Sequence, residues 1–209
     1  MKPHLPLLLL TLFSVAFGVH AQDFKVIKET KDYILKECDS AYYYTHGLPP
    51  KDDFVIDTTK IHKVNGVLKL PLDNGKEVVF RDENTIYSYH GENKKQGYYL
   101  LDAMGLKHIN FYYLIDKKNG MIDSLECNMP IFSPTIFYAY NIDCYKKIGA
   151  NLFFKNIKSN KKICLNLAGG APFGIKWIDD FSFELYTWNN TNYIYNYPKD
   201  KYYLVQIKQ

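Results

Sequence analysis

Three tight-turn signals, each lying between two runs of strand-forming residues, constrain the fold of this chain most strongly. They occupy residues 73–75, 118–120 and 159–160, and the first two end in an Asn-Gly pair. Asn and Gly tolerate the positive φ angles that a two-residue β-hairpin requires. The runs beside the turns are rich in Val, Ile, Phe and Tyr, which favour extended backbone. For residues 60–209 we therefore expect antiparallel strands in a mainly antiparallel, all-β domain.

The segment before these strands, residues 22–50, predicts a short N-terminal helix followed by irregular chain. Apolar side chains recur at helical spacing within residues 27–38, with charged residues between them. Pro49 and Pro50 lie beyond this stretch, where a helix cannot continue. The same residues also fit a hairpin that turns at Lys31, so both alternatives stay open.

Residues 1–21 have the three parts of a cleavable secretory signal peptide. A positive charge near the N-terminus precedes an apolar run at residues 5–17, and Val19 and Ala21 place small side chains before the cleavage point. The run is shorter than the roughly 17 to 25 residues of a membrane-spanning helix, although an uncleaved anchor is the alternative. We therefore expect export to the periplasm or the extracellular space, and residues 22–209 form a single predicted domain.

Four cysteines lie in this predicted exported part: Cys38, Cys127, Cys144 and Cys164. In an oxidising compartment an even number favours two disulfides, for which three pairings are open. No two of them are spaced as Cys-x-x-Cys, which disfavours zinc-ribbon and thioredoxin-like chemistry. No motif indicates a metal or a cofactor, and after signal cleavage no apolar run is long enough to span a membrane. The formal net charge of +4 comes from dispersed lysines, so nucleic-acid binding is not expected.

The strands also fall into three units of similar pattern. The units cover residues 78–126, 133–167 and 177–207, and apolar or small linkers separate them at residues 129–132 and 169–173. Each unit runs strand, polar loop, strand, tight turn and strand, with a spacing near forty residues, which resembles the blades of a β-propeller. The resemblance implies propeller-blade-like repeats. Because closed propellers use about 4 to 8 blades, the segment before the first unit would have to supply another. An open β-sandwich or a barrel is the alternative.

Two groups of polar residues are the weak candidates for catalysis. Asp180 and Glu184, near Asp179, are the densest acidic cluster, and paired carboxylates serve as acid and base in glycoside hydrolysis. Adjacent Asp residues also form turns, and we favour that role for residues 179–180. His90 and Glu92 could act as a base and its partner, but they belong to a polar loop.

Aromatic residues are the one excess that indicates binding. Tyrosine doublets include Tyr98, Tyr112 and Tyr202, and we expect one ring of each doublet to enter the core while the other reaches the surface. Exposed Tyr and Trp rings bury a large area at low entropic cost. Trp177 and Trp188, the latter beside a polar loop, complete the candidate binding residues.

These observations predict an exported, non-enzymatic interaction module that binds a protein or another envelope component, in the manner of an inhibitor, an immunity protein or a receptor. The export signal, the aromatic residues and the lack of a catalytic motif carry this expectation. One alternative is a hydrolase of a cell-wall or extracellular polymer, in which carboxylates distant in sequence meet in space. Another is a scaffold within an envelope assembly. The partner is expected to be a protein or a glycan outside the cytoplasm.

Overall fold

The structure is a computed structural model that describes residues 24–47, 53–105, 110–126, 128–141, 151–167, 171–188 and 201–209. Fifteen strands and one helix lie within these ranges. The strands are β1 (Lys25–Glu29), β2 (Tyr33–Cys38), β3 (Val67–Pro71), β4 (Glu77–Arg81), β5 (Thr85–Asn93), β6 (Tyr98–Gly105), β7 (Asn110–Asp116), β8 (Ile122–Glu126), β9 (Ile131–Phe132), β10 (Phe137–Asn141), β11 (Asn151–Asn156), β12 (Lys162–Asn166), β13 (Ala171–Trp177), β14 (Ser182–Trp188) and β15 (Lys201–Ile207). The helix is α1 (Ser40–Thr45).

The strands form four antiparallel sheets. Sheet I is the β3–β4 hairpin, sheet II has the order β5-β6-β7-β8, and sheet III has the order β12-β11-β10-β9. Sheet IV has the order β1-β2-β15-β14-β13 and so joins the two ends of the chain. The prediction of a mainly antiparallel, all-β chain is confirmed. As described, every sheet has two edge strands, and no closed barrel is formed within these ranges.

Three apolar cores join the sheets as successive layers in the order I, II, III, IV. The core between sheets I and II contains Leu68, Leu70, Phe80, Tyr99, Leu101 and Ile115. The core between sheets II and III contains Tyr98, Leu100, Leu114, Leu125, Phe132, Tyr138 and Tyr140. The core between sheets III and IV contains Tyr33, Leu35, Phe137, Ala139, Leu152, Phe154, Ile163, Leu165, Ile175, Trp177, Phe183, Leu185, Val205 and Ile207. Sheets II and III are therefore covered on both faces.

Strand alternation explains how one strand serves two cores. On β10, Phe137 and Ala139 belong to the core with sheet IV, whereas Tyr138 and Tyr140 belong to the core with sheet II. Successive side chains of a strand point to opposite faces, so a sheet buried on both sides needs an unbroken apolar run. The sequence of β10 meets that requirement with five residues, of which four are aromatic or alanine and face a core.

The predicted helix over residues 27–38 is wrong, because this segment forms the β1–β2 hairpin of sheet IV. Thr30 closes its turn, since the Thr30 hydroxyl accepts hydrogen bonds from the N–H groups of Asp32 and Tyr33. Tyr33 and Leu35 are two apart and enter the same core, which is strand spacing. Pairing with β15 supplies the hydrogen bonds that a helix would have made internally. The one helix found lies just beyond, at α1.

The three predicted turns are confirmed and connect β3 to β4, β7 to β8, and β11 to β12. Gly75, Gly120 and Asn160 take the positive φ angles in them, at 79°, 76° and 57°. No helix in the described ranges is both long and apolar enough to cross a membrane. The proposed signal peptide at residues 1–21 and the strand expected at residues 193–197 lie outside these ranges.

The predicted disulfides are not seen among the described residues. Cys38 is a thiol on β2 in sheet IV, and Cys164 is exposed on β12 in sheet III. The two cysteines are not bonded to each other. Cys127 and Cys144 lie outside the described ranges.

Candidate functional site

Asp180 lies in the turn between β13 and β14, where its carboxylate binds the β9–β10 connection of sheet III. It accepts hydrogen bonds from the hydroxyl groups of Ser133 at 2.8 Å and Thr135 at 2.6 Å. The backbone N–H groups of Thr135 and Ile136 donate to the same carboxylate. Burial acts to raise the pKa of Asp180, but these hydrogen bonds outweigh it and hold the pKa below its ordinary value of 3.8. Asp180 therefore connects sheets III and IV.

Asp179 and Glu184 have surroundings different from that of Asp180. The Asp179 carboxylate accepts hydrogen bonds from the N–H groups of Phe181 and Ser182, both at 2.7 Å, which confirms the expected turn. Glu184 lies on β14 between the core residues Phe183 and Leu185, so its side chain points to the opposite, outer face of sheet IV. The structure does not bring Asp180 and Glu184 together as a pair.

His90 and Glu92 are also separated, because a β-bulge lies between Tyr89 and Gly91 on β5. The His90 Nδ1 atom is 3.3 Å from a carboxylate oxygen of Asp102. Glu92 instead accepts a hydrogen bond from the Lys117 ammonium group. Each candidate therefore has a partner that the sequence interpretation did not name.

Three of the predicted binding aromatics are packed inside the layers. Tyr98 is only 5% exposed, and Tyr112 packs against the same core between sheets II and III. Trp177 lies in the core between sheets III and IV, where its Nε1–H donates to the carbonyl oxygen of Ile131 at 3.2 Å. Tyr99, the neighbour of Tyr98, is buried as well because sheet II is covered on both faces. The Trp188 side chain lies outside the described part of the structure.

Tyr202, the remaining predicted binding residue, lies on the outer face of sheet IV among the residues that form the candidate site. Strand register places Lys176 beside Glu184, and Tyr186 beside Tyr202. Helix α1 covers this face and brings Tyr43 and Tyr44 onto it. We call these side chains, together with Gly47, the Glu184 site: Tyr43, Tyr44, Gly47, Lys176, Glu184, Tyr186 and Tyr202.

Glu184 is a fully buried acid without a hydrogen-bond partner. Its residue exposure is 0%, and neither carboxyl oxygen has a partner within the described part of the chain. Burial raises the pKa of Glu184 to about 7, against smaller lowering effects of Lys176 and His46. The carboxyl group therefore holds a proton at pH values where an exposed glutamate is ionised.

Lys176 lies opposite Glu184 but is committed to helix α1. Its ammonium nitrogen donates to the carbonyl oxygen of Tyr43 at 2.9 Å. The same nitrogen lies 4.2 Å from the Tyr43 ring centroid and 5.4 Å from that of Tyr44, within cation–π range. Lys176 thus holds α1 against sheet IV.

Two glycines allow this close packing. Gly47 has a φ of +71°, and a Cβ atom there would lie 2.8 Å from the Glu184 Oε2 atom and 2.9 Å from the Lys176 Cβ atom. On β13, a Cβ atom at Gly174 would lie 2.6 Å from the Tyr43 hydroxyl oxygen. A side chain at either position would push α1 and its following turn away from the sheet.

Four rings of the Glu184 site form a continuous tyrosine cluster: Tyr43, Tyr44, Tyr186 and Tyr202. The Tyr186 and Tyr202 rings stack with centroids 5.3 Å apart and planes inclined by 22°. Tyr43 packs against both of them, and Tyr44 packs against Tyr202. Tyr43 is buried, whereas Tyr44 is 68% exposed. The cluster therefore has a buried base and an accessible edge.

The sequence identified Glu184 and Tyr202 but missed Lys176, Tyr43 and Tyr186. The available signal was alternation: residues 174, 176, 184 and 186 lie between core residues and share one face once β13 and β14 are paired. Only the fold could add α1. Within the described ranges, no group of three or more His, Cys, Asp and Glu side chains is placed to hold a metal ion.

Comparisons of this chain with protein-family models, with curated protein sequences and with solved structures found no match. Function is therefore inferred from the chain's own residues and contacts.

Proposed function

We propose that the chain is an exported, non-enzymatic interaction module whose contact surface is the tyrosine cluster over sheet IV. The observation that carries the proposal is the exposed edge of that cluster: Tyr44 presents 68% of its surface to solvent on top of buried and half-buried rings. Rings held by their neighbours lose little entropy when a partner covers them. We propose a protein as the partner, since tyrosine-rich patches with a rigid base are typical of protein contact surfaces.

The surroundings of the other candidates support the same conclusion. Asp180 is held by four hydrogen-bond donors, and Glu92 is bound to Lys117. A carboxylate that is held in this way stabilises the fold, and it would have to give up these hydrogen bonds before it could transfer a proton to a substrate. The tyrosine cluster, by contrast, reaches the surface.

The test is affinity capture with mature protein, residues 22–209, from envelope and secreted extract of its source. Wild type is compared with Tyr44→Ala, which removes the exposed ring, and with the control Ile86→Ala, which removes a side chain of similar exposure on sheet II. We expect one protein, retained in near-equal amount by wild type and by Ile86→Ala, to be lost from Tyr44→Ala.

Three other results would count against this proposal. Equal retention by Tyr44→Ala would place the contact surface elsewhere. Retention of polysaccharide alone would indicate glycan binding. An empty column would contradict the interaction module and favour the scaffold alternative, which a high-mass complex on gel filtration of the native extract would support.

A second candidate function is hydrolysis with Glu184 as general acid and base. The specific observation in its favour is the pKa of Glu184, which burial raises to about 7, where a general acid-base group is most effective. Its active form requires that α1 move, because Glu184 is fully buried. Turnover of peptidoglycan or other envelope glycans that is lost in Glu184→Gln, and kept in the surface control Glu77→Gln, would establish it and displace the first proposal.

A further inference from the structure

Lys176 and Glu184 occupy cross-strand positions on β13 and β14, at the distance where opposite charges normally pair. They do not form an ion pair in the structure. Instead, the Lys176 ammonium nitrogen donates to the Tyr43 carbonyl oxygen at 2.9 Å, and neither Glu184 oxygen has a partner in the described part of the chain. Lys176 thus bonds helix α1, and the Glu184 carboxyl group beneath the helix stays protonated.

We propose that Lys176 and Glu184 form a pH-sensitive switch that sets whether helix α1 lies against sheet IV. When Glu184 loses its proton, a buried carboxylate without a hydrogen bond is strongly unfavourable. Lys176 is the cation placed across from it, and its side chain is long enough to turn from Tyr43 to Glu184. Because no Lys176–Glu184 ion pair accompanies the Tyr43 hydrogen bond in the structure, we expect the ion pair to form at the expense of that bond and so of α1.

Helix α1 is held weakly enough that loss of the Lys176 hydrogen bond can release it from sheet IV. Helix α1 has six residues, and isolated helices of that length are unstable in water. Its contacts with the sheet include the packing of Tyr43 and Tyr44 against Tyr202, the Lys176 hydrogen bond and the close approach at Gly47. Loss of the Lys176 hydrogen bond also removes the cation from the Tyr43 and Tyr44 rings. We expect residues 40–47 to leave the sheet as a unit.

Every element packed around Glu184 contributes to its environment. Helix α1 and its C-cap bring Tyr42, Tyr43 and His46, strand β2 brings Cys38, β13 brings Lys176, and β15 brings the apolar Leu204. Burial raises the pKa of Cys38 and of Tyr43 to about 12, so both stay neutral near pH 7. His46 is also an ionisable side chain beside Glu184, and the test must separate the two.

The switch goes beyond the proposed binding function and does not rest on it, because it is a property of the isolated chain. Its consequence for that function is direct. Tyr43 and Tyr44 belong to α1, whereas Tyr186 and Tyr202 belong to sheet IV, so departure of α1 would divide the tyrosine cluster.

The test is hydrogen–deuterium exchange of residues 40–47 in mature protein between pH 5.5 and 8.5, corrected for the intrinsic pH dependence of exchange. We expect α1 to lose protection as pH rises from 5.5 towards 7, by up to roughly tenfold for each pH unit, and to lose no more above pH 7, because Glu184 ionises near 4.5 when uncovered and near 7 when covered. Glu184→Gln should abolish this dependence and keep α1 protected. His46→Gln should keep the pH dependence, moved to slightly higher pH because His46 lowers the pKa of Glu184, and the surface control Glu77→Gln should keep the wild-type profile.

Lys176→Gln tests the lysine exchange separately from the acid. Without the ammonium group, α1 should exchange faster than in wild type at pH 5.5. As the pH rises, no Lys176–Glu184 ion pair can form in this variant, so protection should not fall further for that reason. An unchanged profile in wild type across this pH range would overturn the switch. So would a wild-type profile in Glu184→Gln or Lys176→Gln, or a profile that His46→Gln abolishes. None of these measurements involves a binding partner, so their failure is distinguishable from failure of the proposed function.

Discussion

Lys155, which is buried, and Lys176, which is half-buried, each lie beside a carboxyl group, but only Lys155 forms an ion pair with it. Between sheets II and III, Lys155 on β11 is 4% exposed and its ammonium group bonds directly to the Asp123 carboxylate. The Tyr138 hydroxyl donates to the same carboxylate at 2.7 Å. On the outer face of sheet IV, Lys176 and Glu184 are neighbours, yet the lysine bonds a backbone carbonyl and the acid bonds nothing in the described ranges.

The difference follows from what covers each pair. Asp123 and Lys155 belong to strands of two packed sheets, and ladder hydrogen bonds fix β11 on both sides and β8 on the side of β7. A charge pair held so firmly can be satisfied completely, which is the condition for burying it. Glu184 is covered by a six-residue helix, whose last carbonyl groups need donors of their own. Because helix α1 itself binds the Lys176 ammonium group, Glu184 is left without an ion-pair partner among the described residues. It therefore stays protonated and can ionise when the pH rises.

Breaking the paired lysine should have the largest effect. Lys155→Met removes the ammonium group and leaves the half-buried Asp123 carboxylate with only the Tyr138 hydroxyl and the exposed Lys162 beside it. We expect the free energy of unfolding at pH 7 to fall by about 3 to 5 kcal/mol, the usual cost of breaking a buried ion pair. Urea denaturation measures it.

The control for this change is Lys69→Met, which breaks an exposed pair with Glu77 at 3.5 Å on sheet I. Exposed pairs contribute about 0 to 1 kcal/mol. Equal losses of unfolding free energy in Lys155→Met and Lys69→Met would mean that burial does not strengthen the Lys155–Asp123 pair. The comparison of that pair with Lys176 and Glu184 would then fail.

Glu184→Gln should have the opposite sign and a strong pH dependence. In the unfolded chain Glu184 ionises near its ordinary value of 4.5, whereas in the folded chain burial raises its pKa to about 7. The folded state thus holds a proton that the unfolded state releases between these values. The stability that this proton contributes is complete below pH 4.5, declines as pH rises through the interval and is lost above pH 7.

Glutamine does not ionise, so the variant escapes this decline. Relative to wild type, we expect Glu184→Gln to gain up to about 3 kcal/mol between pH 4.5 and pH 8, the free energy that corresponds to the shift. Urea denaturation of both proteins at the two pH values gives the difference. A constant difference at both pH values would show that Glu184 is ionised normally in the folded chain.

The strands could be predicted from sequence because their signals are local. Gly75, Gly120 and Asn160 mark hairpin turns by their own backbone preferences, and the structure has turns there. The β1–β2 hairpin could not be distinguished from a helix, because all five residues of β1 are exposed and show no strand alternation. What fixes β2 as a strand is β15, which lies at the other end of the chain.

The candidate site was only partly predictable for a related reason. Glu184 could be singled out as an acid, but its burial depends on α1, and its separation from Asp180 depends on sheet III. Tyrosine doublets were expected to place one ring at the surface. Tyr98 and Tyr99 are both buried, because stacking of layers on both faces of sheet II leaves no trace in the alternation of a single strand.

A pair of glycine substitutions tests how tightly α1 and the following Gly47 pack against Glu184. Gly47→Ala and Gly75→Ala both place alanine at a positive φ, of 71° and 79°. The new Cβ atom would be 2.8 Å from the Glu184 Oε2 atom in the first variant and would meet nothing within 4 Å in the second. Backbone strain is therefore common to both, and we expect Gly47→Ala to be less stable by a further amount of about 1 kcal/mol.

Thermal or urea unfolding measures that excess, and hydrogen exchange of residues 40–47 locates it. Faster exchange of α1 in Gly47→Ala, and not in Gly75→Ala, is the expected local signature. Equal stability of the two variants would mean that residues 46–47 are not held against the acid, and the contrast between a fixed and a competing cover would fail.

The smallest effect is expected at the second lysine of the paired carboxylate. Lys162 on β12 is the cross-strand neighbour of Lys155 and lies 3.9 Å from Asp123, but its side chain is 54% exposed. Lys162→Met therefore removes the same charge from the same carboxylate as Lys155→Met, with water able to replace it. We expect a loss below about 0.5 kcal/mol in urea denaturation, since solvent and salt screen exposed pairs. A loss comparable to that of Lys155→Met would instead assign the stabilisation to the summed charge around Asp123. Burial of Lys155 would then no longer explain why Asp123 is ion-paired while Glu184 has no partner in the described ranges.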